Sequence, residues 1–168
     1  MLSSVCALLI VDEIQSGFGR TGSLFVFEQY GIVPDVLLTG KALGGGLPIG
    51  ALVSSKENLK EFTYNPMLGH ITTFGGNAVI CASAAATLEV LHEEIDFDQV
   101  EYLGQLLEDI VSENSEIKAI RRKGMMFAFD MESFERVERV VKKCLEKGLI
   151  SFWFLSHPYS FRLSPPLN

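Results

Sequence analysis

Positive charge is scarce in this 168-residue chain, where 14 lysines and arginines stand against 21 aspartates and glutamates for a formal net charge of −7. Nucleic acid and anionic membrane surfaces are therefore disfavoured as partners, since an extended polyanion would be repelled at long range. Cysteine is scarce as well. Cys6, Cys81 and Cys144 are scattered and form neither a disulfide framework nor a metal-spaced pair, so the expectation is no metal, core or helix-packing roles, and a reducing, cytoplasmic setting. Long apolar runs are missing too: residues 1–10 are apolar but too short to span a bilayer. They lack a basic flank and end at Asp12 and Glu13 instead of a small-residue cleavage site. Repeats, low-complexity tracts and long flexible linkers are also absent. What the chain does have is 48% hydrophobic residues, enough for a sizeable core.

The first half reads as pieces of an α/β sheet. Residues 5–11 form a continuous apolar run, the pattern of a strand covered on both faces. A turn-rich stretch, Gln15-Ser16-Gly17-Phe18-Gly19-Arg20-Thr21-Gly22, precedes a short helix at 24–30 closed by Gly31. Strands at 36–38 and 51–54 flank Thr39-Gly40-Lys41 and a triple glycine, Gly44-Gly45-Gly46. The carboxyl ends of such strands are where open sheets place ligands. A short helix at 55–62 leads to an irregular segment, 63–76, after which Asn77 is positioned to cap a helix at 78–92 with Ala84, Leu88 and Leu91 on one side.

The second half changes rhythm. A helix at 98–112 with Val100, Leu103, Leu107 and Ile110 as its apolar stripe is followed by a basic turn at Arg121-Arg122-Lys123. A strand at 125–131, a helix at 134–147 closed by Gly148, and strands around 149–155 and 161–163 complete a small α+β lobe. The expected division is 1–92 and 93–168.

The chemistry-bearing combination is a lysine at one strand end and an acid at another. An amine beside a glycine-rich turn suits phosphate binding or a Schiff base. A Walker motif is excluded because the glycines follow Lys41, and Gly17-Phe18-Gly19-Arg20-Thr21-Gly22, although spaced G-x-G-x-x-G, is set aside as a dinucleotide site because residues 12–16 separate it from the strand at 5–11 and only the short helix at 24–30 follows it.

The ordered segments Leu9-Ile10-Val11-Asp12-Glu13-Ile14-Gln15-Ser16-Gly17-Phe18-Gly19-Arg20-Thr21-Gly22, Pro34-Asp35, Thr39-Gly40-Lys41-Ala42-Leu43-Gly44-Gly45-Gly46-Leu47-Pro48, Thr73-Phe74-Gly75-Gly76-Asn77 and Phe161-Arg162-Leu163-Ser164-Pro165-Pro166-Leu167 together resemble class III aminotransferases. The resemblance covers essentially the whole chain. It implies an α/β fold of fold type I, with a partial large domain built on a mainly parallel sheet and a partial α+β small domain. It also implies pyridoxal 5'-phosphate as cofactor. Asp12 would lie beside the pyridine nitrogen, Gln15 near the phenolic oxygen, and Lys41 would bond the cofactor and act as the proton carrier. Thr73, with Thr72 as companion, would reach the phosphate of a partner subunit, which implies a homodimer. Arg162 would grip a substrate carboxylate. His70 matches a position often occupied by histidine and is given no catalytic step, and Gly19, Arg20 and Gly44–Gly46 are read as loop architecture. The implied reaction exchanges an amino group between a small amino donor and an oxo acid such as 2-oxoglutarate. Members of the family are longer, so the expectation is a portion of an enzyme without its amino-terminal half and its extreme carboxyl terminus. A noncatalytic dimerisation module and another chemistry on the same scaffold, such as an aminomutase, are the alternatives; Gln15 favours transamination.

Overall fold

The computed structural model describes residues 7–168 and divides them into two compact units. The first comprises residues 7–18 and Ser23–Glu94, and the second Gly19–Gly22 and Ile95–Asn168. The chain thus leaves the first unit after Phe18, contributes four residues to the second, and returns at Ser23. Among the described residues, no helix is long and apolar enough to cross a membrane.

In the first unit, β1 (Ile10–Asp12), β2 (Val36–Gly40) and β3 (Gly50–Ser54) form one sheet in that order. The β1–β2 pair is parallel and β2–β3 is antiparallel, with Asp12 opposite Leu38 and Gly40 opposite Gly50. The central strand β2 is buried at Val36, Leu37, Thr39 and Gly40. The apolar run expected at 5–11 behaves differently: Val5 and Cys6 lie outside the described residues, and only Ile10–Asp12 is strand. Leu8 and Ile10 are exposed, because β1 has a strand neighbour on one side only among the described residues.

Local chemistry sets the element ends. A 3-10 helix at Val26–Tyr30 stops at Gly31 in the left-handed conformation. The Ser55 hydroxyl caps α1 (Lys56–Glu61) by accepting from the Asn58 N–H at 3.2 Å. Asn77 Oδ1 accepts from the N–H groups of Val79 and Ile80 at the start of α2 (Ala78–Glu94). On α2, Ala84 and Leu91 are buried as expected, but Leu88 and Cys81 are exposed. The side of this helix facing its own unit is narrower than the apolar spacing suggests.

The second unit is a four-stranded antiparallel sheet with helices. Its elements are α3 (Phe97–Ser112), β4 (Ala119–Lys123), β5 (Met126–Asp130), α4 (Phe134–Glu146), β6 (Phe152–Trp153) and β7 (Ser160–Leu163), with strand order β4-β5-β7-β6. Alternation along β5 puts Phe127 and Phe129 on one face. They stack at 5.4 Å, and Phe129 stacks on Phe161 of β7 at 5.0 Å. Val100 of α3, Val137 of α4, Met125 and Met131 complete this core. Asp96 caps α3, and Gly148, at φ 81°, follows the end of α4.

Two expectations are corrected here. Ile110 is exposed, and its place on the buried stripe of α3 is taken by Val111, which continues the helical repeat from Val100, Leu103 and Leu107. Arg121-Arg122-Lys123 is not a turn but the end of β4, paired with β5. Arg122 is nearly covered, with 9% of its side chain exposed, and its guanidinium pairs with Glu101 at 2.8 Å and Glu108 at 2.7 Å on α3. A basic run reads as solvated until such acids, 14 and 21 residues away, are folded against it.

The four-residue excursion is firmly held by its own unit. Arg20 donates to the carbonyls of Met125 (3.2 Å) and Pro165, while its own carbonyl accepts from the Met125 N–H at 3.0 Å. Burial pushes the Arg20 guanidinium below its ordinary pKa. Gly124, at φ 53°, allows the close approach: a Cβ there would lie 2.6 Å from the Thr21 carbonyl carbon and 2.7 Å from the Gly22 nitrogen.

Candidate active site

Asp12 is the last residue of β1, and Lys41 follows directly on β2, its parallel neighbour. Both side chains therefore emerge at the carboxyl ends of adjacent parallel strands, the ligand-binding edge of such sheets. Asp12 is exposed and its Oδ1 accepts the Ile14 N–H at 2.9 Å, a tight local turn that starts the descent toward Gln15. Gln15 is exposed, and among the described residues its amide has no hydrogen-bond partner. Lys41 is exposed and likewise has no hydrogen-bond or ion-pair partner among the described residues. Its φ is 43°, a left-handed conformation costly for a side chain with a Cβ.

A short 3-10 helix, Lys41–Gly44, carries the lysine. The Ser83 hydroxyl of α2 donates to the Gly44 carbonyl at 2.8 Å, and a Cβ at Gly45, φ 56°, would overlap the Thr87 hydroxyl. The glycine run therefore lets the lysine loop lie against α2. Thr39, 3% exposed, precedes it and donates toward the Ala51 carbonyl at 3.4 Å.

Glu13 is the residue that sequence reasoning passed over. It lies between exposed Asp12 and half-buried Ile14 yet is 0% exposed. Its Oε1 accepts the Phe27 N–H at 2.9 Å and its Oε2 accepts the Ser16 hydroxyl. Its backbone N–H donates to the Leu38 carbonyl at 2.9 Å and its carbonyl accepts from Gly17 at 3.0 Å. The only available signal was its adjacency to Asp12, because a glutamate in isolation argues for solvent.

Thr72 and Thr73 lie in the exposed segment before α2, where the Thr72 carbonyl accepts the Gly75 N–H at 3.2 Å. Among the described residues, no hydrogen bond joins either threonine to Asp12, Gln15 or Lys41. Around them Met67, Leu68, Ile71, Phe74 and Val79 are 56–81% exposed, an unusual density of uncovered apolar side chains. His70 Nδ1 lies 3.1 Å from the Phe62 carbonyl, which accounts for it within this segment.

Arg162 belongs to the second unit, on β7 between β5 and β6. Its guanidinium stands 5.5 Å over the Phe152 ring and, among the described residues, makes no ion pair. A planar fork held by an aromatic face, with its charge unpaired, suits capture of a carboxylate.

Residues 4–168 match the family described as aminotransferase class-III, and the chain belongs to that family. Acetylornithine aminotransferase of Methanocaldococcus jannaschii is 44% identical over 147 residues, 85% of this chain and 36% of that protein. Putrescine aminotransferase of Pectobacterium atrosepticum is 38% identical over 100% of this chain and 37% of its own length. Among solved structures, ornithine aminotransferase of Toxoplasma gondii, described with partial occupancy of PLP at its active site, superposes with a TM-score of 0.87. It is 36% identical, with 98% of this chain and 39% of that one covered. The fold is that of the fold type I aminotransferases, and the chain spans between 36% and 39% of the length of these relatives.

Proposed function

We propose that this chain carries the lysine-bearing portion of a pyridoxal-phosphate-dependent aminotransferase, which passes an amino group from a small amino donor to an oxo acid such as 2-oxoglutarate. The observation that carries the reading is the pairing of Asp12 and Lys41 at the carboxyl ends of neighbouring parallel strands, with Lys41 and Gln15 free of partners among the described residues. An amine, an anion and an amide on one strand edge fit an aldehyde-bearing, protonated pyridine ring with a phenolic oxygen. When bound, that cofactor supplies the electron sink for negative charge developing at the substrate α-carbon.

Each side chain then has a distinct task. Lys41 would hold the cofactor at its aldehyde carbon and would serve as the proton carrier at the substrate α-carbon. Asp12 keeps the pyridine nitrogen protonated, since a carboxylate beside a basic nitrogen favours its charged form. Gln15 donates to the phenolic oxygen. Arg162 binds a substrate carboxylate. Thr73, assisted by Thr72, reaches the cofactor phosphate of a partner subunit, and the uncovered apolar run from Met67 to Val79 supports a second copy of the enzyme as the cover for this segment. The free thiols of Cys81 and Cys144 support a reducing, cytoplasmic setting. Acetylornithine, ornithine and putrescine, named in the relatives, are the donors to screen first.

The test is an absorbance titration of the chain with pyridoxal phosphate beside the Lys41→Ala variant. A saturable near-visible band that disappears in the variant is the expected result. A chain that develops no Lys41-dependent band does not itself assemble this site, and the reading fails for it.

A further inference from the structure

We propose that Glu13 is a positioning residue: a buried latch that fixes the turn carrying Asp12 and Gln15, an inference that rests on the cofactor-site reading above. Burying a carboxylate is unfavourable unless its oxygens are satisfied, so a fully covered glutamate calls for a reason that an apolar side chain could not meet. Here both oxygens act as acceptors, from the Phe27 N–H and from the Ser16 hydroxyl. Among the described residues no lysine, arginine or histidine forms an ion pair with it, so hydrogen bonds alone satisfy the group. The Phe27 N–H is one of the donors that the start of a 3-10 helix leaves without an internal partner.

The main chain of the same residue is tied on two further sides, to Leu38 of β2 and to Gly17 within the turn. Glu13 therefore joins the end of β1, the strand that leads to Lys41, the Ser16–Gly17 bend and the helix at Val26–Tyr30. Its two flanking functional residues need no anchors of their own. Asp12 keeps only a bond to the backbone two residues on, and Gln15 keeps none, so their polar groups stay available while the turn beneath them is held. The division of labour is direct: the acid next to the cofactor acid sets where that acid points.

The experiment compares the unmodified chain with Glu13→Ala, Glu13→Gln and Ser16→Ala, reading amide hydrogen exchange at Phe27 and the pH profile of the Lys41-dependent band at full loading with pyridoxal phosphate. Glu13→Ala is expected to speed Phe27 exchange and weaken cofactor binding by about tenfold each, the scale of one hydrogen bond to a charged group. It should also displace the pH profile, because Asp12 no longer sits against the pyridine nitrogen. Glu13→Gln keeps a carbonyl for Phe27 and is expected to restore exchange and binding to within about threefold. An unchanged Phe27 rate, or a superposable pH profile in the fully loaded Glu13→Ala chain, overturns the proposal. Should Glu13→Ala not fold, Ser16→Ala decides by the same pH profile, whose displacement supports the latch and whose constancy removes it. A missing band in the unmodified chain, with Phe27 still responding to Glu13→Ala, reports failure of the cofactor reading and reduces Glu13 to a residue of the fold.

Discussion

The two units are stabilised in opposite ways. Among the described residues, five of the six largest fully buried side chains (Phe127, Phe129, Val100, Val137 and Ser160) belong to the second unit, and the one in the first unit is a carboxylate, Glu13. The second unit is held by stacked rings and packed aliphatics whose dispersion and burial are non-directional. The first is held at its functional edge by directional bonds: Glu13 to Phe27 and Ser16, Ser83 to Gly44, and Asn77 to the start of α2. A region that must present polar side chains to a ligand cannot seal that edge with hydrocarbon, and its geometry is instead set by buried acceptors and donors. Uncovered apolar side chains occur in both units, among them Met67, Ile71 and Phe74 in the first and Ile150 and Leu155 in the second.

This contrast can be broken at its strongest point by Phe129→Ala. Loss of a fully buried ring from the stack with Phe127 and Phe161 is expected to destabilise the second unit by about 3–5 kcal/mol, measured by urea denaturation followed through exchange of β5 amides. A smaller effect comes from acid. The guanidinium of Arg122 holds Glu101 below the ordinary carboxylate range. Burial raises Asp130, but the hydrogen bonds from Arg121 and Ser160, with the positive charge of Arg121, together outweigh it and leave Asp130 lowered. Because these folded-state values are depressed, the stability they contribute is present above the unfolded values and is lost as pH falls through the folded ones. The urea midpoint of the second unit should therefore decline below about pH 4.3, where unperturbed glutamate titrates. The decline should be shallower in Arg122→Met and reduced by salt, since Glu101 is half exposed. The smallest change in stability belongs to Met67→Ser, at an 81% exposed position. It is expected to move the first unit's midpoint by less than about 0.5 kcal/mol while lowering self-association in analytical ultracentrifugation; a large loss of stability would mean that this segment is packed within its own unit.

Features encoded by neighbours in sequence were legible. Asn77 capping α2, Gly31 ending a helix and Gly148 following α4 all depend on contacts within a few residues. Asp12 and Lys41 were legible as strand-end residues because apolar runs precede both. What escaped depends on partners far along the chain. Arg122 reads as solvated until Glu101 and Glu108 meet it, and β4 becomes a strand through its pairing with β5. The exchange of Ile110 for Val111 is a one-residue rotation of α3 that the apolar pattern leaves open, since both positions are hydrophobic. Glu13 escaped for the reverse reason: composition argues against burying it, and only the Phe27 N–H and the Ser16 hydroxyl make that burial tolerable.

The excursion of Gly19–Gly22 into the second unit has a kinetic consequence. Arg20 bonds to Met125 and Pro165 across sequence separations of 105 and 145 residues. Closing loops of that length carries an entropic cost before any contact rewards it, and contacts of this order slow folding. During synthesis the Arg20 side chain leaves the ribosome long before either carbonyl exists, so the second unit cannot finish until the Gly19–Gly22 tetrapeptide is recovered by residues made 105 and 145 positions later. Its assembly is a late clasp, and a chain interrupted in between would hold a helix, a sheet and an arginine with nothing yet to grip.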